Sequence, residues 1–424
     1  VSDAASPPAP RTARYALAVI FSANFLSYLD RQLVSALEEP IRNPEGGLGL
    51  TSPEFGLLWT LFTIGYMVCA PFIGYASDRV RRPRLFAACV FVWSIATLAS
   101  GWAPDKLVLY VSRVFIGVGE AGCLIIGSAM ISDYFTRENR GRALSIFYLG
   151  LPIGGTFAFI LAGLLLNIGW RNLFYMAGLP GFLVTVLIWR LVDPPRGSGG
   201  DEAGPHGHGK AGGGLRQYLE FFRTPSLILV ILAQAFAVII LVPLIHYGIE
   251  FFVQERGMEK KAARIALGVI ALIAGALGNT VSGVVGDRWA KRSRGAYALL
   301  AGVSYLVGFP CLLVGFMRPE KWVYLPALTL GAFCIFLCMP AVNTHIANVT
   351  HPTRRAMAWA MAVFVLHLLG DTLAPPIFGL VDDAIGRLRA FMIFSVALVP
   401  ASLCCFLAAR TAARDEERAS RTAA

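Results

Sequence analysis

Gly74-Tyr75-Ala76-Ser77-Asp78-Arg79-Val80-Arg81-Arg82-Pro83 follows one long apolar run, and Gly283-Val284-Val285-Gly286-Asp287-Arg288-Trp289-Ala290-Lys291-Arg292 follows another in the second half of the chain. Both stretches place an acid four residues after a glycine, and an arginine directly after the acid. Arg140-Gly141-Arg142 and Arg354-Arg355 are a second matched pair, each ahead of a further apolar run. A segment that recurs together with its flanking apolar runs marks a duplicated unit. A duplicated unit of membrane helices puts a substrate site between the copies, near the middle of the bilayer.

The 424-residue chain is 56% hydrophobic and 15% charged, where a soluble domain carries about 25% charged residues. Its apolar residues come in blocks of roughly 20, the length of a membrane-crossing helix. Twelve spans are predicted, at roughly 15–37, 54–76, 84–103, 106–132, 143–167, 172–192, 226–251, 263–285, 296–317, 322–346, 357–381 and 388–409. Backbone amides in lipid must be satisfied within the segment, so the spans are helices. The period-two alternation of a membrane barrel is absent from the sequence. The expected fold is all-α, with twelve transmembrane helices in two pseudo-symmetric six-helix bundles, 15–192 and 226–410. A Gly- and Ser-rich cytoplasmic linker, 193–225, joins them. A disordered N-terminus, 1–14, and a cytoplasmic tail, 411–424, complete the expected layout. No signal-peptide cleavage pattern precedes the first span, which is expected to stay attached. Within the linker, 215–222 reads as a short amphipathic helix on the inner surface.

The formal charge of +11 could suggest nucleic acid, but its distribution excludes that reading. About two thirds of the 37 Lys and Arg residues fall in loops and tails on the side of the termini. That bias places both termini in the cytoplasm. The eight cysteines all lie within spans, so no disulfide framework is expected. Cys334 and Cys338 share a helix face but read as small buried apolar groups, and no metal site is expected. His206 and His208 in the linker are too few for one.

The Gly74 stretch resembles the inner-loop motif of the major facilitator superfamily, Gly-x-x-x-Asp-Arg-x-x-Arg-Arg. Gly74 lets two helices approach closely. Asp78 can cap a neighbouring helix, and Arg79, Arg81 and Arg82 can pair with it. Together with Asp287 and Arg288 of the second copy, they are the expected inner gate. Narrower stretches resemble the Spinster-like transporters, lysolipid and sphingolipid carriers within that superfamily. These are Tyr28-Leu29-Asp30-Arg31, Arg113-Val114-Phe115-Ile116-Gly117-Val118-Gly119-Glu120-Ala121, the run from Leu144 through Tyr148 to Gly154, Pro194-Pro195-Arg196-Gly197, and His367-Leu368-Leu369-Gly370-Asp371. Gly150-Leu151-Pro152 departs from the superfamily's antiporter motif, which has Gly and Pro adjacent.

Charges at membrane depth are expensive and mark pathways. At about 1.5 Å per residue, Asp30 and Arg113 sit level, roughly 10 Å below the outer surface. Glu120 lies two turns deeper on the Arg113 face. Asp30 and Arg31 diverge by about 100° around their helix. Arg113 is expected to pair with Asp30 and to modulate Glu120 as well. Asp30, Glu120, Arg113 and Arg31 read either as proton-coupling groups, which trade protons as water access changes, or as a structural salt-bridge network. Asn24, Ser27, Tyr66, Tyr148, Asn343 and Asp371 are the candidate substrate-cavity residues. Gln234, Asn279, Asn343 and His345 read as interhelical partners or ligand contacts, and His246 and Glu250 as outer-gate residues.

The resemblance implies a proton-coupled secondary active transporter working by alternating access. Its cargo would be an amphipathic lipid, a lysophospholipid or a sphingosine-1-phosphate-like molecule. The alternative is a small organic anion or drug on the same fold. No Walker loop, HExxH or nucleophile–base pairing is present, so no enzyme is expected. No cofactor is expected beyond protons as the coupling ion. Partners are the substrate, protons and membrane lipids, but no nucleic acid. A monomer in the plasma (inner) membrane is anticipated.

Overall fold

The computed structural model describes residues 9–198 and 217–421. Among the described residues there is no strand. Eleven helices there are long and apolar enough to cross a membrane. A first helix, α1 (Pro10–Ala36), makes the twelfth. Its polar Ser22, Asn24, Ser27, Asp30 and Arg31 lower its hydropathy below that of the rest. The others are α2 (Ser52–Ser77), α3 (Arg82–Trp102), α4 (Lys106–Tyr134), α5 (Arg137–Leu165), α6 (Trp170–Trp189), α7 (Pro225–Gln254), α8 (Lys260–Ala290), α9 (Ala296–Met317), α10 (Lys321–Val349), α11 (Pro352–Ile385) and α12 (Arg387–Ser420).

Local chemistry sets several boundaries. Thr51 and Glu54 form a reciprocal capping box at the start of α2. Asp105 accepts from Val108 N at 2.9 Å and starts α4. α11 is interrupted by a π-helical turn, His367–Asp371. Large side chains such as Phe72, Leu164, Leu183 and Leu380 point outward, while Asp30, Arg113 and Glu120 are buried. That inversion of the soluble pattern suits a lipid solvent.

The duplication is visible in the packing. α1 packs on α4, α5 and α6; α2 packs on α4; α3 packs on α4 and α6. Adding six to each number gives contacts that are also made: α7 with α10, α11 and α12, α8 with α10, and α9 with α10 and α12. Glycines allow the tightest of these. A Cβ on Gly117 of α4 would meet Phe62 O of α2 at 2.1 Å, and one on Gly65 of α2 would meet Val114 O at 2.4 Å. In the second half, a Cβ on Gly278 of α8 would meet Phe333 O of α10 at 2.8 Å.

The chain forms two compact units, each built on one six-helix half but including a short piece of the other. Pro352–Phe364 packs with the first unit and Arg137–Ile146 with the second. The sequence divides at the linker; the packing does not follow that division. The described structure also departs from the expected disorder and tail. α1 already begins at Pro10, and residues 1–8 lie outside the described residues. The last helical segment of α12, Leu398–Arg421, runs on past 410, where the span was expected to end. There Asp415 accepts from Ser226 N at 2.8 Å, Glu416 pairs with Arg137, and Glu417 pairs with Arg294 at 2.9 Å. The start of the expected flexible linker is anchored through Asp193, Gly197 and Ser198. Residues 199–216, with His206 and His208, lie outside the described residues. Of the surface helix expected at 215–222, Gln217–Glu220 is helical and Phe221–Arg223 is a 3-10 turn.

Gly117→Ala should destabilise the protein by about 1–3 kcal/mol, because the added methyl meets backbone that cannot rotate away. Gly163→Ala, where nothing lies within 4 Å, should be neutral or stabilising by up to about 1 kcal/mol through helix propensity. Thermal melting in detergent checks the contrast. Equal melting temperatures for the two variants would remove the close-approach account.

Candidate functional site

Four ionisable side chains meet inside the first unit. Asp30 of α1 faces α3 and α4. Its Oδ2 accepts from Thr97 Oγ1 at 2.6 Å, and its Oδ1 stands 3.6 Å from Arg113 Nη2. Arg31 faces α2 and α4. Its Nη2 and Nε both donate to Glu120 Oε2, at 3.0 and 3.2 Å. The guanidinium carbon lies 4.8 Å from the Phe62 ring centre, 4.9 Å from Tyr28 and 5.2 Å from Tyr66. Three aromatic faces and one carboxylate therefore receive this cation. Asp30, Arg113 and Glu120 are at most 3% exposed. Even so, Asp30 Oδ1, Glu120 Oε1, and Arg113 Nε and Nη2 have no hydrogen-bond partner among the described residues. The pairs balance charge without saturating their hydrogen bonds, which leaves donors and acceptors free for water or a ligand. Arg31, Arg113, Trp59 and Phe62 line a small cavity with room for about one water molecule.

This arrangement adds to the sequence reading. Asp30 and Arg113 meet, as expected, and Glu120 is bonded to Arg31, a partner the sequence reading did not name. Asn24 is fully buried. Its amide donates to Phe147 O at 2.7 Å and clasps α1 to α5. The glycine-rich start of the second part of α5 serves the same contact, since a Cβ on Gly150 would meet Asn24 Nδ2 at 2.6 Å. Ser27 is buried within reach of Glu120. Tyr66 is spent on Arg31. Tyr148 packs against Phe147, with its hydroxyl 3.4 Å from Ser128 Oγ. Asn343 donates to Met339 O of its own helix at 2.8 Å. The side chain of Asp371 lies outside the described residues.

At the other end of the helices, the repeated stretches build two clasps of one design. Asp78, just after α2, accepts from Ala356 N at 3.3 Å and Met357 N at 3.0 Å, near the start of α11. A carboxylate there satisfies orphan N–H groups and meets the positive end of the helix. The adjacent Arg355 donates to Asp133 Oδ1 at 2.6 Å, at the end of α4. In the second unit, Asp287 accepts from Arg142 N at 3.2 Å and from Gly141 N, near the start of α5, and from the Tyr297 hydroxyl at 2.6 Å. The adjacent Arg140 donates to Asn348 Oδ1 at 2.7 Å, at the end of α10. Asp78 thus corresponds to Asp287, Arg355 to Arg140, and Asp133 to Asn348.

The arginines of the first stretch do not pair with Asp78 as expected. Arg79 donates to Tyr75 O at 2.9 Å and lies 3.5 Å from the Tyr75 ring centre. Arg82 is fully buried against Asp133 at 2.5 Å and Asp193 at 2.8 Å. Arg81 and Arg288 are exposed. Asp133, the hub of the first clasp, was missed. An acid at the inner end of α4, on the side where cations dominate, is the signal that could have singled it out.

A sequence model described as Major Facilitator Superfamily matches residues 20–370. The chain belongs to the major facilitator superfamily. This superfamily comprises membrane transporters, which agrees with the expectation of a carrier and not an enzyme. Within it, the chain is 26% identical to protein spinster of Drosophila melanogaster, over 88% of this chain and 63% of that protein. It thus spans less than two thirds of that relative's length. It is 29% identical to the sphingosine-1-phosphate transporter SPNS2 of Mus musculus, over 87% of this chain and 69% of that one. A solved bacterial homolog of the human lysosomal transporter Spinster shares the fold at a TM-score of 0.66 and 23% identity, covering 96% of this chain and 99% of that one. The superfamily transporter FucP does so at 0.76 and 15%, covering 94% and 99%.

Asp78 lies beyond the end of α2, and burial pushes its carboxyl up to about 7, against the pull of Met357 N, Arg196, Ala356 N and Arg82. A carboxyl whose pKa is raised in the clasped form takes up a proton on clasping. The clasp therefore tightens as pH falls from about 7 towards the ordinary value near 4. Above about 7 the full cost of burying the charge is present. Spin-label distances between the inner ends of α2 and α11 should shift towards the clasped population over that window, and Asp78→Asn should flatten the shift. A wild-type distribution independent of pH would count against this titration.

Proposed function

We propose that the protein is a proton-coupled secondary active transporter of an amphipathic anionic lipid, a lysophospholipid or a sphingosine-1-phosphate-like molecule. It works by alternating access, as a monomer in the plasma (inner) membrane with both termini in the cytoplasm. The observation that carries the reading is the pairing of Arg31 with Glu120 inside a cage of Tyr28, Phe62 and Tyr66. A guanidinium with apolar ring faces around it matches a head that is anionic and a body that is hydrocarbon. The similarity to SPNS2 supports a lipid over other anions.

In this mechanism Glu120 and the substrate head compete for Arg31. Protonating Glu120 dissolves its ion pair and leaves the guanidinium for a phosphate, which it can bind in a fork. Deprotonation on the other side restores the pair and expels the head. Asp30 and Arg113 form the second switch, and their 3.6 Å contact is loose enough to rearrange. Thr97 holds Asp30 in place. The cytoplasmic clasps at Asp78 and Asp287 must release for the inner side to open.

Glu120→Gln should reduce proton-driven accumulation in liposomes to the level of protein-free vesicles, while exchange of substrate down its own gradient persists. Arg31→Lys should lose both activities, since an ammonium neither forks nor stacks like a guanidinium. Labelled sphingosine-1-phosphate and a small aromatic carboxylate, offered in parallel, separate the lipid cargo from a small organic anion. Proton-driven uptake by Glu120→Gln at the wild-type level would rule out this coupling role.

A further inference from the structure

The second repeated stretch carries a feature that its gate role does not use. Arg288, Lys291 and Arg292, with Val285 and Trp289, border an open surface hollow of about 450 Å3 at the inner end of α8. That volume falls within the about 300–1,000 Å3 typical of ligand sites. Val285, Arg288, Trp289 and Arg292 recur at the three- and four-residue spacing of one helix face.

In the first stretch, the equivalent cations are neutralised or bonded by the protein. Arg82 is held by Asp133 and Asp193, and Arg79 by the Tyr75 carbonyl and ring. In the second stretch, the position equivalent to Asp133 is the neutral Asn348, which is bonded to Arg140. Asp287 is turned towards Tyr297 and the start of α5. Nearby Arg294 is paired with Glu417. Arg288, Lys291 and Arg292 have no carboxylate partner among the described residues. Three cations without a carboxylate partner are therefore clustered on one face at the end of a membrane-spanning helix, beside an indole. Trp is the residue type that settles at the headgroup level of a bilayer.

We propose that this hollow binds the phosphate headgroup of an anionic phospholipid in the leaflet on the side of the termini. Arg288 and Arg292 would fork onto phosphate oxygens, and Lys291 would supply a point charge. Trp289 and Val285 would pack against the glycerol and the first methylenes of the acyl chains. This site lies outside the transport constellation of Asp30, Arg31, Arg113 and Glu120 and holds a resident lipid, not cargo.

Retention of lipid can be read without substrate, gradient or transport, so its outcome is independent of the proposed transport activity. The full chain is reconstituted in nanodiscs of phosphatidylcholine with a minor share of phosphatidylglycerol, extracted, and its bound lipids identified by native mass spectrometry. The wild type should retain phosphatidylglycerol selectively. Each cation contributes about fivefold near an anionic surface, so Arg288→Gln/Lys291→Gln/Arg292→Gln should weaken retention on the order of a hundredfold. Lys291→Gln alone, at an exposed position, should weaken it about fivefold with no change in melting temperature. Arg410→Gln/Arg414→Gln, which removes two exposed cations elsewhere at the same end, should retain the lipid as the wild type does. Equal retention by the wild type and the triple variant, or equal loss in the Arg410/Arg414 variant, would overturn the site. Displacement of the lipid by inorganic phosphate at equal concentration would overturn the lipid as its ligand in favour of free phosphate.

Discussion

Arg31 can be buried in this protein only because Glu120 and three aromatic rings receive it. A lone guanidinium in the apolar half of a bilayer would be prohibitive. Stripping one partner from a buried pair costs about 3–5 kcal/mol. The same constraint binds Asp30 to Arg113 and Thr97. Together the two pairs specify how α1, α2, α3 and α4 are rotated about their axes, because any other rotation would leave a charge facing hydrocarbon. The substrate reading grows from this constraint. A site that must neutralise its own cation in the resting form can exchange that neutralising group for an anion from outside.

The duplicated stretches show how one motif divides into two uses. Asp78 and Asp287 both cap the inner start of a helix that belongs, in sequence, to the other half of the chain. Arg355 and Arg140, the residues just before the capped N–H groups, reach equivalent positions at the ends of α4 and α10. One position is a carboxylate, Asp133, and the other an amide, Asn348. The first clasp is consequently a dense buried ion network that also takes in Arg82 and Asp193. The second keeps one looser ion pair, Asp287 with Arg142 at 3.6 Å, alongside hydrogen bonds from Tyr297, backbone N–H groups and Arg140, and the cations of its own motif turn outward.

Much of this was legible from the chain. The twelve spans followed from hydrocarbon thickness, and the duplication from the repeated Gly74 and Gly283 stretches. The shared depth of Asp30 and Arg113 followed from helical rise alone. Reading the partners went less well wherever two helices had to be placed side by side. Asn24, Tyr66 and Tyr148 carry the right chemistry for a cavity, but their contacts with Phe147 O, Arg31 and the Phe147 ring could be read only once the helices were placed side by side. Glu120 lies on the Arg113 face of α4 but bonds Arg31 of α1, since the approach of a second helix chooses between candidate partners. Within the stretch expected as a cytoplasmic tail, Asp415, Glu416 and Glu417 bond Ser226 N, Arg137 and Arg294 and so belong to the packed second unit.

The sequence by itself determined the class of solvent, the number of spans, the internal repeat and which few charges must be buried, because these depend on composition and on distances measured along one helix. Only the tertiary structure decided that Arg31 meets Glu120. It also decided that Asp133 and Asn348 stand at equivalent hubs and that Arg288, Lys291 and Arg292 are left without a carboxylate. Those outcomes depend on helix rotation and crossing, set by close approaches such as Gly65 against Val114 and Gly117 against Phe62, and no periodicity along a single helix encodes them.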